Sequence, residues 1–184
     1  MFHGEYESLT ALYNASQNFC PRPIAWGAYK SIPNAHFFLS AFVDMVDELP
    51  DLHQYPEKVA QLHQRATAPD GKYGFHVQSI CGPLSMHATQ TESWEEFFFN
   101  YMRYFMAAER RTHGDPSEEM ARLEYVFLTQ IVPRLCRPLE TGTRQIEPRL
   151  LHSDLWDGNA ATGARTMEPM IFDPACIYGH NECQ

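Results

Sequence analysis

The sequence lacks the features that would send a protein into or across a membrane. No apolar run approaches the length of a membrane span, and residues 1–5 have neither a basic nor an apolar segment typical of a secretory signal. The five cysteines are odd in number and scattered, unlike the disulfide framework of a secreted domain. A net charge of −9 also argues against a nucleic-acid partner, which requires a basic face. We therefore expect a cytoplasmic protein with no membrane or nucleic-acid partner.

Two common catalytic signatures are also missing. There is no G-x-S-x-G nucleophile elbow and no G-x-G-x-x-G dinucleotide fingerprint. Lysine is rare, with only Lys30, Lys58 and Lys72. What remains is an ordinary globular composition, 44% hydrophobic and 20% charged over 184 residues, which is long enough to bury one sizeable core.

The first half of the chain alternates between helical and extended patterns. Apolar residues at i, i+4, i+7 and i+11 predict a short N-terminal amphipathic helix: Phe2, Tyr6, Leu9 and Tyr13. Strands are predicted at 24–26 and 36–43, and a helix at 57–66. Residues 70–89, with several glycines and a proline, are predicted to be mostly loop.

Two longer helices follow. Ser93 and Glu96 form an S-x-x-E capping box ahead of an aromatic face, and Gly114 is expected to end this helix. Asp115 is the predicted N-cap of the next helix. Its predicted buried stripe comprises Met120, Leu123, Phe127 and Ile131, and Pro133 should end or kink it. The predicted fold class is α+β with a helix-rich body.

Chemistry concentrates near the end of the sequence. Kinase catalytic loops read H-R-D-x-x-x-x-N, and His152, Asp154 and Asn159 stand at that spacing. An apolar strand-like run, 170–172, then leads to Asp173. Phosphoryl transfer requires oxygen ligands that converge on Mg²⁺, here Asn159 and Asp173, with a base opposite them, here Asp154.

The same segment resembles the fructosamine (ketoamine) kinase family. Residues 152–159, H-S-D-L-W-D-G-N, look like the family's H-G-D-L-W-S-G-N loop, and residues 171–182 look like its I-F-D-P-A and Y-G-H-x-E motifs. The wider group is the aminoglycoside-phosphotransferase-like kinases, which have a protein-kinase-like fold. Two departures stand out. Ser153 replaces a glycine and would be strained if φ is positive there, and Asp157 replaces a serine and adds charge.

The resemblance implies ATP- and Mg²⁺-dependent phosphorylation of a sugar hydroxyl of ketoamines, either small molecules or glycated proteins. Asp154 would be the base, and Asn159 and Asp173 the metal ligands. Trp156 and His152 would bind substrate. The nucleotide side would include Glu5, which resembles the helix glutamate that pairs with the kinase lysine, and Phe42 and Val43 in the adenine-binding hinge.

The resemblance also implies a division of the chain. Residues 1–45 would be a remnant of the N-terminal lobe and hinge. Residues 46–184 would be the C-terminal lobe, with the catalytic loop at 150–159 and the metal-binding segment at 169–175. The strands with the missing lysine are expected before Met1, and further helices after Gln184. We therefore expect this polypeptide alone to bind ATP weakly and turn over poorly.

Three alternatives stay open at this level. One is a pseudokinase without catalysis, which the missing lysine favours. Another is a related kinase for choline, homoserine or an aminoglycoside. The third is a zinc module built on Cys176, His180 and Cys183, although that cluster lacks the paired cysteines of structural zinc sites.

Overall fold

The computed structural model describes residues 2–46 and 48–184. The helices are α1 (Phe2–Ala15), α2 (Gln54–Arg65), α3 (Trp94–His113), α4 (Glu118–Val126) and α5 (Val132–Cys136). The strands are β1 (Pro23–Ala28), β2 (His36–Ser40), β3 (Met45–Val46), β4 (Ile80–Cys81), β5 (Leu84–Ser85), β6 (Arg149–Leu151), β7 (Ala160–Gly163), β8 (Pro169–Ile171) and β9 (Ile177–Gly179). None of the helices described here combines the length and apolarity needed to cross a membrane.

The N-terminal unit is α1 packed against the antiparallel β1–β2 hairpin. Tyr6 meets Phe38 edge-on, with 6.3 Å between ring centroids, and His3 stacks on Trp26 at 4.3 Å. The predicted helix and first strand are confirmed. The second strand ends at Ser40 rather than at residue 43.

The body contains two buried clusters, and β6 connects them. Because successive residues of a strand face opposite sides, Leu150 joins the cluster that includes Leu9, Leu12 and Leu62, while Leu151 joins the cluster around Trp94 and Phe97. Both leucines are buried. The end of β6, from which the next chain segment starts, is therefore packed against a buried cluster on each face.

Helix α3 begins and ends where the sequence predicts, but its cap is different. Ser93 Oγ accepts from the Glu96 amide at 3.4 Å, as expected of an N-cap. In a capping box the side chain of Glu96 would accept from the free N–H groups at the start of the helix, but here the side chain of Glu140 does so. The Glu140 carboxylate accepts from the Trp94 amide at 2.8 Å, the Ser93 hydroxyl at 3.0 Å and the Glu95 amide at 3.2 Å. A carboxylate at this position satisfies free N–H groups and complements the positive end of the helix dipole.

We expect Glu140→Gln to lower the free energy of unfolding by about 1–2 kcal/mol, because the amide presents an NH₂ group to donors and removes the negative charge. Urea denaturation measures the loss. Glu92→Gln, at an exposed acid just before α3, is the matched control and should change little. Equal losses in the two variants would contradict the capping role.

Helix α4 departs from the prediction in its cap and in its burial. Ser117, not Asp115, is the N-cap, because the Ser117 hydroxyl accepts from the Met120 amide at 3.2 Å. The predicted buried stripe is wrong: Met120 is 51% exposed and Leu123 is 53% exposed. Periodicity identified residues on a common face, but no described segment covers that face.

Pro133 neither ends the helix nor leaves an obvious break. A π-helical turn, Phe127–Ile131, joins α4 to α5, and the Val132 amide donates to the carbonyl of Phe127, five residues back. Proline has no N–H and clashes with the carbonyl four residues before it, so a wider turn at this point lets the helix continue.

The small sheets in the second half frame one loop region. Strand β6 pairs antiparallel with β9, and β3, β7 and β8 form a three-stranded antiparallel sheet. Residues 152–159 connect β6 to β7, and residues 172–176 connect β8 to β9. These two connections are thereby brought side by side.

Candidate active site

His152 is the structural centre of the 152–159 loop. Its ring is fully buried, its Nε2 donates to the Phe172 carbonyl at 2.9 Å, and its Nδ1 accepts from the Asp154 amide at 3.3 Å. These partners assign the proton to Nε2. Burial lowers the pKa of His152 to about 4, so the imidazole is neutral at physiological pH. The His152 carbonyl also accepts from the Ala175 amide at 3.0 Å.

The ring of His152, which was predicted to bind substrate, is engaged with backbone groups in this structure. A ring with no exposed surface and with both nitrogens bonded to backbone has nothing to offer a substrate. Its hydrogen bonds instead join the loop containing Asp154 to the strand end that precedes Asp173.

Asn159 is held directly against Asp154. Its Nδ2 donates to the Asp154 carbonyl oxygen at 2.8 Å and to the Asp154 carboxylate at 3.0 Å. The side chain is largely buried, and these bonds fix which end of the amide is nitrogen. Among the described residues no hydrogen bond to its Oδ1 is seen.

Asp173 lies on the same side of the molecule. The amide of Phe172 donates to the Asn159 carbonyl at 3.1 Å, which places the following residue beside the loop. Asp173 itself has φ +57°, a left-handed conformation that turns the chain directly after β8. The three residues singled out from spacing, Asp154, Asn159 and Asp173, are thus brought together. The free Asn159 oxygen and the Asp173 carboxylate are the ligand types that Mg²⁺ prefers.

Sequence reasoning missed Cys81 of the β4–β5 hairpin, whose thiol these acids influence. Burial raises the pKa of the Cys81 thiol to about 11, with further contributions from a hydrogen bond to Asp154 and from the charges of Asp154 and Asp173. Spacing could not indicate this influence, because residue 81 is far from the motif and lies in a predicted loop.

Glu5 approaches the site from α1. Burial raises the pKa of Glu5, and the charge of Asp173 raises it further. Within residues 2–46 and 48–184 no lysine or arginine forms an ion pair with Glu5; Lys58, for instance, pairs with Glu168. The helix carboxylate therefore faces the site with no basic partner in the described structure.

The other predicted site residues lie at the edges. Phe42 is 91% exposed, and Val43 lines a cleft of about 440 Å³ together with Cys20 and Met170. Trp156 is 60% exposed, and its ring lies over Gly158 so closely that a Cβ at position 158 would collide with it. The ring thus covers Gly158 on one side and presents its outer surface to solvent.

Ser153, which replaces the glycine of the family's loop, does have a positive φ. Its φ is +63°, and its buried Oγ has no hydrogen-bond partner. We expect Ser153→Gly to raise the free energy of unfolding by about 1 kcal/mol, because glycine adopts this conformation without a Cβ penalty. Ser153→Ala removes the unpartnered hydroxyl but keeps the Cβ, so its gain in urea denaturation should be smaller. A glycine variant no more stable than the alanine variant would contradict the strain.

The zinc alternative does not fit this geometry. Cys176 is fully buried, with its Sγ 3.6 Å from the Ser8 carbonyl, whereas Cys183 is exposed. His180 caps the final 3₁₀ turn by accepting from the Glu182 amide. The described part of the chain has no group of three or more His, Cys, Asp or Glu residues suited to a metal ion.

Solved structures agree with this architecture. A structure from Thermobifida fusca with the provisional name fructosamine-3-kinase superposes with a TM-score of 0.72 at 22% identity, covering 99% of this chain and 57% of that one. A Haemophilus somnus structure with the same provisional name gives a TM-score of 0.71 at 23% identity, covering 100% and 57%. These likenesses show the fold, and the predicted protein-kinase-like α+β class is confirmed.

Sequence comparison gives the family. The fructosamine kinase family model matches residues 1–184. A chloroplastic protein-ribulosamine 3-kinase of Oryza sativa subsp. japonica is 32% identical over 186 residues, covering 100% of this chain and 51% of that protein. A mouse ketosamine-3-kinase is 32% identical over 203 residues, covering 99% and 62%. The chain belongs to the fructosamine kinase family, and it spans about half the length of its rice relative.

Proposed function

We propose that this chain supplies the catalytic-loop half of an ATP-dependent ketoamine kinase. The reaction transfers the γ-phosphoryl group of ATP to a sugar hydroxyl of a ketoamine, either a small molecule or a glycated protein. The observation that carries the proposal is the hydrogen bond from Asn159 to Asp154 beside the strand end that holds Asp173. The family membership supports the ketoamine as acceptor, since the rice and mouse relatives are named as ribulosamine and ketosamine kinases.

In this mechanism Asp154 accepts the proton of the acceptor hydroxyl as its oxygen attacks the γ-phosphorus. The new P–O bond forms while the bond to the β-phosphate oxygen breaks, and ADP leaves. Asn159 and Asp173 would hold Mg²⁺, which neutralises phosphate charge when bound. The Asn159 amide also orients the Asp154 carboxylate, and the buried neutral His152 holds the loop in register with Asp173.

The nucleotide side is proposed along the first third of the chain. Residues 1–45 would contribute the remnant of the N-terminal lobe and hinge, and residues 46–184 the C-terminal lobe. Phe42 and Val43 would contact adenine, and Glu5 would face the phosphates from beside Asp173.

Trp156 is proposed as a stacking surface for the acceptor sugar, because its ring is exposed and it follows Asp154 by two residues in the same loop. We expect Trp156→Ala to raise the KM for the ketoamine by about fivefold, the loss of roughly 1 kcal/mol of stacking, and to leave the KM for ATP unchanged. Trp156→Phe keeps an aromatic face, so its KM for the ketoamine should lie between those of the parent chain and Trp156→Ala. Parallel rises in both KM values would instead indicate a general disturbance of the loop.

The function is tested with the purified chain, Mg²⁺, ATP and a fructosyl-lysine derivative as the ketoamine. ³¹P NMR should show a new sugar phosphate ester that forms together with ADP. Fructose, choline and an aminoglycoside serve as competing acceptors. Transfer to choline or the aminoglycoside without transfer to the ketoamine would overturn the acceptor assignment. Binding of Mg²⁺ and ATP, seen as a thermal shift, without transfer to any acceptor would favour the pseudokinase.

The cellular site also remains a proposal. We propose a cytoplasmic location on the basis of the scattered free cysteines. The rice relative is described as chloroplastic. Imaging of a tagged chain in its source cells would decide between the two compartments.

A further inference from the structure

The backbone amide of His152 is a buried donor that its own strand leaves unpaired. Strand β6 pairs with β9 only as far as Leu151 opposite Ile177, and His152 follows directly. A buried N–H without an acceptor is costly, so a partner is required. That acceptor comes from the segment that follows β9. The side-chain Oε1 of Gln184 accepts from the His152 amide at 2.9 Å.

The same oxygen has a second donor on α2. His63 Nε2 lies 3.3 Å from Gln184 Oε1, and because that oxygen only accepts, the proton is on Nε2 of His63. Burial lowers the pKa of His63, which agrees with a neutral ring in this contact. One carboxamide oxygen therefore joins α2 to the first residue of the catalytic loop.

Gln184 is presented at this point by a short structured turn. The 3₁₀ turn Asn181–Cys183 follows β9, and the Cys183 amide donates to the His180 carbonyl at 2.9 Å. The Gln184 amide in turn donates to the Asn181 carbonyl at 3.4 Å. The turn that follows β9, the strand partner of β6, thus positions the side chain of Gln184.

We propose that Gln184 is a positioning residue for the catalytic loop. It fixes the backbone of His152, and the ring of His152 then fixes Asp154 through its amide and the strand end before Asp173 through the Phe172 carbonyl. Gln184 contacts neither acid, so its effect on phosphoryl transfer passes entirely through His152. The kinetic part of this inference rests on the proposed function, whereas the structural part does not.

The test compares Gln184→Ala, Gln184→Glu and Asn181→Ala in the full chain with ¹⁵N-labelled histidine. Hydrogen exchange of the His152 amide should become about tenfold faster in Gln184→Ala, because the amide loses its acceptor. It should stay near the original rate in Gln184→Glu, since a carboxylate also accepts. Asn181→Ala, an exposed position in the same turn, should change nothing. The ¹⁵N shift of His63 Nε2 should move in both variants at position 184, because alanine removes the acceptor and glutamate adds a charge, and should stay unchanged in Asn181→Ala.

Phosphoryl transfer provides the second readout. In Gln184→Ala the kcat should fall several-fold while the KM for ketoamine stays the same, with rescue by Gln184→Glu. An unchanged His152 exchange rate in Gln184→Ala, or an equal change in Asn181→Ala, overturns the proposal. If no variant and no parent chain transfers phosphate, the proposed function fails by itself, and the exchange data still decide the role of Gln184.

Discussion

Asp154→Asn is expected to reduce the rate of phosphoryl transfer to a ketoamine by about 10²- to 10⁴-fold, the usual contribution of a positioned general base. The substitution is nearly isosteric, and an asparagine carbonyl can still accept from Asn159 Nδ2, so the loop should keep its shape. The loss should therefore appear in kcat, while the thermal shift on adding Mg²⁺ and ATP persists. Initial rates of sugar phosphate formation measure the first effect.

Asp157→Asn is the matched control for that experiment. Asp157 is an exposed acid of the same loop, three residues from Asp154, and its side chain has no part in the Asn159 contacts. It should retain most of the activity. Full activity in Asp154→Asn, or equal losses in the two variants, would remove the base assignment and with it the proposed mechanism.

The second large effect concerns the stability of the protein toward acid. The pKa of His152 is about 4 in the folded chain and 6.5 as its reference value. The unfolded chain therefore binds a proton between these pH values and the folded chain does not. The neutral, buried ring therefore contributes about 3 kcal/mol to the free energy of unfolding. This contribution is fully present above pH 6.5 and is lost as the pH falls toward 4. Burial lowers the pKa of His63 and of His87 too, so both act in the same direction.

Urea denaturation at pH values from 7.5 to 4.5 measures this dependence. His152→Asn should flatten the slope, whereas His53→Asn, at an exposed position, should leave it unchanged. Should His152→Asn fail to fold, the ring resonances of His152 in the parent chain decide instead. A ring that gains its proton near pH 6.5 would contradict both the burial and the neutral state.

The parts of the structure that sequence reasoning predicted depend on short-range patterns. The spacing of His152, Asp154 and Asn159 lies within one loop, and Asp173 follows an apolar strand of three residues. Helix α3 was bounded by Ser93 and Gly114, each of which acts on its immediate neighbours. Such features are written locally, because capping and turn geometry involve donors and acceptors only a few residues apart.

What the sequence could not give depends on contacts between distant segments. Glu140 caps a helix that begins 46 residues earlier, and Gln184 reaches back 32 residues to His152. Asp154 helps to raise the pKa of the Cys81 thiol, although the two residues are far apart in the sequence. The burial of His152 and its hydrogen bond to the Phe172 carbonyl likewise depend on packing between separate segments.

Helix α4 shows a different limit of prediction from sequence patterns. Asp115 and Ser117 are both good N-cap residues, and only the backbone path decided for Ser117. Periodicity placed Met120 and Leu123 on one face, but a period does not say what lies opposite that face. Pro133 was expected to interrupt the helix, and the π-helical turn before it accommodates the residue instead.

The two leucines of β6 have a consequence for how the protein loses activity on heating. Leu150 and Leu151 belong to different buried clusters, so the strand leading into the catalytic loop cannot open unless both clusters loosen. Segments anchored in this way exchange their amide hydrogens only through large cooperative openings. Thermal inactivation should therefore coincide with global unfolding of the described chain, with no earlier step in which the catalytic loop alone melts.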